Sequence, residues 1–213
     1  MAGKADVNRR QIFALFGLGG LGLLVPGVGP AGAAPVSLFA SPVGRNHLRP
    51  PGAVGEETFL AHCIRCGRCL EVCPYHAIIL LDIRAGLHAG TPLIAVKNVP
   101  CYLCMKCVEV CPTGSLRPVS QKETRMGLAV IDRHSCLAWL GETLCRTCYD
   151  KCPFVNTAIR LDQLRPMIDE KACTGCGICV TACPVTVAEG ETAGDKAINI
   201  EPIYARRRLT AGG

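Results

Sequence analysis

The chain has 213 residues, sixteen of them cysteine, with 23 Lys and Arg against 17 Asp and Glu. Cysteine is about four times as common as in an ordinary soluble protein, which argues against a plain hydrocarbon-core enzyme. A charged fraction of 19% argues against a disordered polyampholyte. The length allows one or two domains. The aromatics (Trp 1, Tyr 4, Phe 5) leave a thin conventional core, so other bonds must hold the chain together. The formal charge of +6 invites a nucleic-acid or anionic-membrane reading until the charge of any cofactor is counted.

The N-terminus begins with a charged stretch carrying Lys4, Arg9 and Arg10. The apolar run 12–29 follows, and then the small-residue stretch 30–35. That layout is a secretory signal, and Arg9-Arg10 followed by Gln11-Ile12-Phe13 resembles the twin-arginine export pattern. Asn8 and Ile12 depart from its usual residues. Gly17, Gly19, Gly20 and Gly22 lower the hydrophobicity, which suits that route and makes a poor spanning helix. Pro35 disfavours a cut after Ala34, so cleavage is expected at Ala33/Ala34. A retained membrane anchor is the alternative. The expected organisation is a signal over 1–33 and a Pro/Gly-rich linker over 34–58. Two modules follow at 59–120 and 121–203, then a basic tail over 204–213.

Four copies of one phrase follow. The first is Cys63, Cys66, Cys69, Cys73-Pro74. The second is Cys101, Cys104, Cys107, Cys111-Pro112. The fourth is Cys173, Cys176, Cys179, Cys183-Pro184. The third keeps the tail Cys145, Cys148, Cys152-Pro153, but its first cysteine, Cys136, stands nine positions ahead of Cys145. Three thiolates at x2 intervals wrap a turn around one face of an iron–sulfur cube. The fourth, carried off by a short helical turn, ligates the neighbouring cube. The proline then ends that turn. All sixteen cysteines are therefore expected to be ligands of four [4Fe–4S] clusters. Apolar runs at 77–83, 116–119, 158–161 and 197–203 follow the copies as strands. Matching runs at 93–99, 128–131 and 166–168 precede copies two to four. The fold class expected is α+β, with two tandem ferredoxin-like two-cluster modules built from short strands and cluster loops.

A disulfide framework would not repeat this spacing four times with a terminal proline. Structural zinc joins knuckles across a longer spacer, and a radical-generating centre needs a set short of one cysteine. The copies could pair consecutively (one with two, three with four), for which the spacers of 27 and 20 residues suffice. They could also pair in a nested way (one with four, two with three), as in the iron–sulfur subunits of molybdenum oxidoreductases.

The insert 137–144 in copy three reads first as a loop shielding its cube and second as a docking wall with Trp139 as contact. His62, His76 and His134 flank the motifs as outer hydrogen-bond donors or surface residues. Arg65, Arg68, Lys106, Arg146 and Lys151 place positive charge in or beside the cluster loops, where it favours the reduced state. Arg206, Arg207 and Arg208 read as a solvated tail, with a patch for an acidic partner as the second reading. No nucleotide-binding glycine loop and no hydrolytic constellation is visible, so no catalytic residue is expected.

Several phrases are more specific than the cluster spacing: 48–53 (LRPPGA), 89–92 (AGTP), 126–130 (MGLAV) and 172–177 (ACTGCG). In these the chain resembles the MauM/NapG group of ferredoxin-type proteins, associated with methylamine utilisation and periplasmic nitrate reduction. The compact spacing of copy two leans toward the methylamine branch. The resemblance implies a periplasmic electron carrier without substrate chemistry of its own. Its redox partners would be a quinol-linked membrane protein, a c-type cytochrome, or a periplasmic dehydrogenase or reductase. Alternatives are an electron-transfer subunit of a membrane oxidoreductase and a redox maturation factor. Export and clusters explain each other, since cubes assembled in the reducing cytoplasm must cross in a folded chain.

Charge closes the sequence reading. Two Fe²⁺, two Fe³⁺, four sulfides and four thiolates sum to −2, so four cubes bring −8. Residues 1–33 carry Lys4, Arg9, Arg10 and Asp6, so their removal lowers the +6 to +4. The exported holoprotein would stand at −4, and the basic excess no longer argues for nucleic acid.

Overall fold

A computed structural model describes residues 47–187 and 195–203. The expected leader, the basic tail with Arg206, Arg207 and Arg208, and the first part of the expected linker lie outside the described residues. The described elements are short. They are α1 (Glu56–His62), α2 (Arg68–Glu71), β1 (Ile78–Leu80), a 3₁₀ segment (Ile83–His88), β2 (Pro92–Ile94) and α3 (Lys106–Glu109). Then come β3 (Gly127–Ile131), α4 (Leu137–Leu140), α5 (Thr147–Asp150), β4 (Ile159–Asp162), β5 (Arg165–Ile168), α6 (Ile178–Ala182) and β6 (Ile198–Pro202).

Three antiparallel strand pairs carry the cysteine loops. β1 pairs with β2, with Ile78 opposite Ile94; β4 pairs with β5, with Ile159 opposite Ile168; β3 pairs with β6, with Ala129 opposite Ile200. A fourth pairing is reduced to one bridge, Ala53 to Leu116. Each expected strand run coincides with a strand or with this bridge. Each helical turn starts just before the third cysteine of its set, so Cys69, Cys107, Cys148 and Cys179 lie in α2, α3, α5 and α6.

From His47 onward the stretch expected as linker is packed into the first module. Leu48 joins its core, and Arg49, Pro50 and Pro51 are almost fully buried. Arg49 explains why. Its guanidinium bonds Glu56 (Nε–Oε2 3.0 Å), Thr91 Oγ1 (2.8 Å) and the Pro92 carbonyl (2.8 Å), and it lies 4.7 Å over the Phe59 ring. One buried cation thus ties the entering chain, α1 and β2 together, with its donors satisfied as burial demands. Gly52, at φ +73°, lies so close to the Arg117 carbonyl that any side chain there would collide with backbone.

The buried hydrophobic residues form two clusters, and the larger reaches across the two cysteine-rich halves. Cys176, from the fourth set, is buried among Phe59, Cys101 and Leu103 of the first half. A backbone bond stitches the junction, Cys101 N–H to Cys176 O (2.8 Å). Lys97 and Asp195 form an ion pair across it.

Candidate metal centres

The cysteines converge on four cavities of about 320 to 400 Å³, counting their open mouths. Cavity I is lined by Cys63, Cys66 and Cys69, joined by Cys111 of the second set. Cavity II is lined by Cys101, Cys104 and Cys107, joined by Cys73 of the first. Cavity III takes Cys136, Cys145, Cys148 and Cys183. Cavity IV takes Cys173, Cys176, Cys179 and Cys152, with Cys148 also on the wall it shares with III. Three cysteines of one set plus the fourth of the other is the cross-ligation the spacing implies. The pairing is consecutive, one with two and three with four, and the nested alternative does not match these walls.

Local backbone geometry shapes the loops. In the regular sets the residues on either side of the second cysteine are left-handed: Arg65 and Gly67, Leu103 and Met105, Gly175 and Gly177. Such a turn coils the loop around its cavity. Glycine takes it freely, whereas Arg65, Leu103 and Met105 hold it against a steric preference of about 1–2 kcal/mol each. The third set lacks this alternation. There the insert forms α4, which brings Cys136 back to the cavity wall beside Leu137.

One residue of the insert matches the shielding reading. Leu137 lines cavity III, as a shield would. Trp139 does not line it; its indole lies between Arg133 (4.2 Å) and Arg165 (5.3 Å) and donates to the Pro166 carbonyl (3.3 Å). Leu140 and Leu144 face outward.

The thiols are held out of water. Burial pushes Cys69 up to about 11 and Cys101, Cys107 and Cys148 up to about 12, and it raises Cys152, Cys176 and Cys179 as well. Isolated thiolates would be unstable in such surroundings, and a group that neutralises them suits the sites. Cys111 is the exception: burial would raise its thiol, but hydrogen bonds from Leu116 N–H (3.4 Å), Thr113 and Ser115 outweigh it and lower it. Ala129 N–H similarly reaches Cys173 Sγ (3.5 Å). Among the described residues no three ligating side chains close on a single-ion site. The cysteines stand around larger cavities, which fits a cube and disfavours zinc. All sixteen are free thiols, four to a cavity, where a disulfide scaffold would bring them together in twos.

Of the other sequence candidates, only Arg65 and Arg68 line a cysteine cavity, the first. Lys106, Arg146 and Lys151 are exposed beside their loops, and Arg146 pairs with Asp150 at 3.1 Å. His62, His76 and His134 are exposed and line none of the four cavities. The sequence reading missed the Arg49–Glu56–Thr91 cluster. Its one signal was a charged residue inside an otherwise apolar Pro/Gly phrase.

Known proteins are similar to this chain in sequence. A 4Fe-4S dicluster domain profile matches residues 62–115, and a second 4Fe-4S dicluster profile matches 128–184 and 165–204. The chain is 39% identical over 170 residues to the ferredoxin-type protein NapG of Escherichia coli, covering 68% of this chain and 73% of that protein. It is 35% identical over 203 residues to the methylamine utilization ferredoxin-type protein MauM of Paracoccus denitrificans, covering 86% of each. The MauM of Methylorubrum extorquens is 36% identical over 179 residues. Relatives on both branches match at similar identity.

Proposed function

Because this chain belongs to the family of NapG and MauM ferredoxin-type proteins, we propose that it carries four [4Fe–4S] clusters in the periplasm and relays single electrons between redox proteins. That it is a ferredoxin-type iron–sulfur electron-transfer protein follows from the family and the dicluster domains. The observation that carries the finer reading is the division of sixteen cysteines among four cavities, four to each. Each cube supplies one-electron chemistry when bound. The protein supplies the thiolate ligands, excludes water from cavities II and IV, and sets the order of the sites.

That order can be read from neighbouring cysteines. Cys107 of cavity II lies in the field of Cys69 of cavity I. Cys101 of cavity II meets Cys176 of cavity IV through the backbone bond at the junction. Cys179 of cavity IV lies in the field of Cys148 of cavity III. The sequence I–II–IV–III places the two ends of the relay at I and III. We assign donor and acceptor to the classes the family suggests, a quinol-linked membrane protein and a c-type cytochrome or periplasmic dehydrogenase or reductase, in a methylamine or nitrate pathway.

Anaerobic iron and sulfide analysis tests the cofactor count: about sixteen of each per chain is expected, and about eight would refute it. Changing Arg9 and Arg10 to Lys tests the location. The variant is expected to stay in the cytoplasm with its clusters, and normal export would refute the twin-arginine route.

A further inference from the structure

Around the mouth of cavity I the chain exposes an apolar surface. Ile64 is 64% exposed, Ile83 90% and Leu87 73%, with Leu80 nearby on β1. Cavity I is also where a cysteine, Cys66, is exposed. Ile64 and Leu80 line that mouth together with Arg65 and Arg68, and no carboxylate lines it.

The segment carrying Ile83 and Leu87 is the tip of the β1–β2 hairpin, and it is pinned in place. Leu81 N–H bonds Thr91 O (3.0 Å), and Gly90 N–H bonds Leu81 O (2.8 Å). Arg65 donates from Nε to Ala89 O (2.8 Å) and from Nη2 to Leu87 O (3.1 Å), which fastens the tip to the first cysteine loop. Ala85 is buried beneath it, and Asp82 is turned to the backbone, accepting Arg84 N–H (2.9 Å). A preorganised loop that buries its alanine and presents its two large aliphatic side chains to solvent is arranged to be covered.

We propose that this tip is a hook that seats the cavity I face on an anionic lipid surface. Two aliphatic side chains flank Arg84, and Arg68 stands at the rim of the cavity. Aliphatic groups entering the acyl boundary while guanidinium groups remain at the phosphates is the pattern of interfacial binding. Seated so, the open end of the relay faces lipid-borne or membrane-embedded donors. The hook acts independently of any leader. It rests on the polypeptide surface rather than on the number of clusters.

The test uses the full-length holoprotein with vesicles of phosphatidylethanolamine and phosphatidylglycerol, against phosphatidylcholine vesicles. Hydrogen exchange is followed segment by segment, and visible absorbance reports cluster content separately. Residues 83–90 are expected to be protected by the anionic vesicles, and Ile83→Ser/Leu87→Ser is expected to abolish that protection. The vesicle partition constant of the variant is expected to fall about a hundredfold, in line with removing two aliphatic side chains. If the double variant loses its absorbance, Ile83→Thr replaces it, with a smaller loss expected. Unchanged exchange at 83–90 would overturn the proposal. So would protection that appears only when the vesicles contain membrane proteins, which would assign the face to a protein partner.

Discussion

Arg49 shows how much one side chain contributes outside the cysteine loops. Its charge is buried, and its partners come from two other segments, Glu56 from α1 and the adjacent Thr91 and Pro92 at the start of β2. Replacing it with Met would leave the Glu56 carboxylate facing a low-dielectric pocket, at a cost of about 3–5 kcal/mol. Urea-induced bleaching of the clusters is expected at clearly lower urea in Arg49→Met; an unchanged midpoint would show the pair to be dispensable. His47 sits in the same pocket, with its Nε2 buried and without a hydrogen-bond partner among the described residues. Burial first, then the charges of Arg49 and His88 hold its pKa below the ordinary value of 6.5, with Glu56 opposing them. The folded state therefore binds the proton less readily than the unfolded chain. Stability from this group is full above about pH 6.5 and falls as pH drops toward the folded pKa. Thermal bleaching between pH 7.5 and about 5 should show that slope, and His47→Phe should flatten it.

The cysteine loops are set by backbone as much as by thiols. A Cβ on Gly175 would stand 2.4 Å from the Gly127 nitrogen, and φ at Gly175 is +74°. Gly175→Ala must displace the fourth loop from β3, at a cost of about 2 kcal/mol or more. Loss of cluster signal in that variant should be confined to cavity IV and its immediate neighbours. In the third loop the helix α4 carries Cys136 to the wall of cavity III despite the long gap. Cys136→Ser is expected to lose about one iron and gain a three-iron EPR signal. A full iron count with an unchanged spectrum would remove Cys136 from the ligand set. Much at this scale was legible beforehand, because the x2-x2-x3-Pro spacing dictates loop, turn and strand in that order. The trapped guanidinium was not, because nothing local distinguishes Arg49 from a surface arginine. Its burial depends on Glu56, Thr91 and Phe59 arriving from elsewhere. The junction was also hidden, since all four sets share the same Cys-x2-Cys-x3-Cys-Pro tail, which is compatible with both consecutive and nested pairing.

On the scale of the whole molecule, one of the two hydrophobic clusters spans the halves, and the proposed order of the four cavities is I–II–IV–III. The middle step runs through the Cys101–Cys176 contact between the halves, while the ends differ in surface. The end at cavity I is aliphatic and hooked. The end at cavity III is flanked by the Arg133–Trp139–Arg165 stack. Order and pairing stand or fall on which fourth cysteine completes which site. The measurement that tests this most directly is EPR of the fully reduced holoprotein with single Cys→Ser changes. Cys73→Ser is expected to alter the same signal as Cys101→Ser, because both line cavity II. If Cys73→Ser instead alters the signal changed by Cys173→Ser, the sets pair in the nested fashion and the account is wrong.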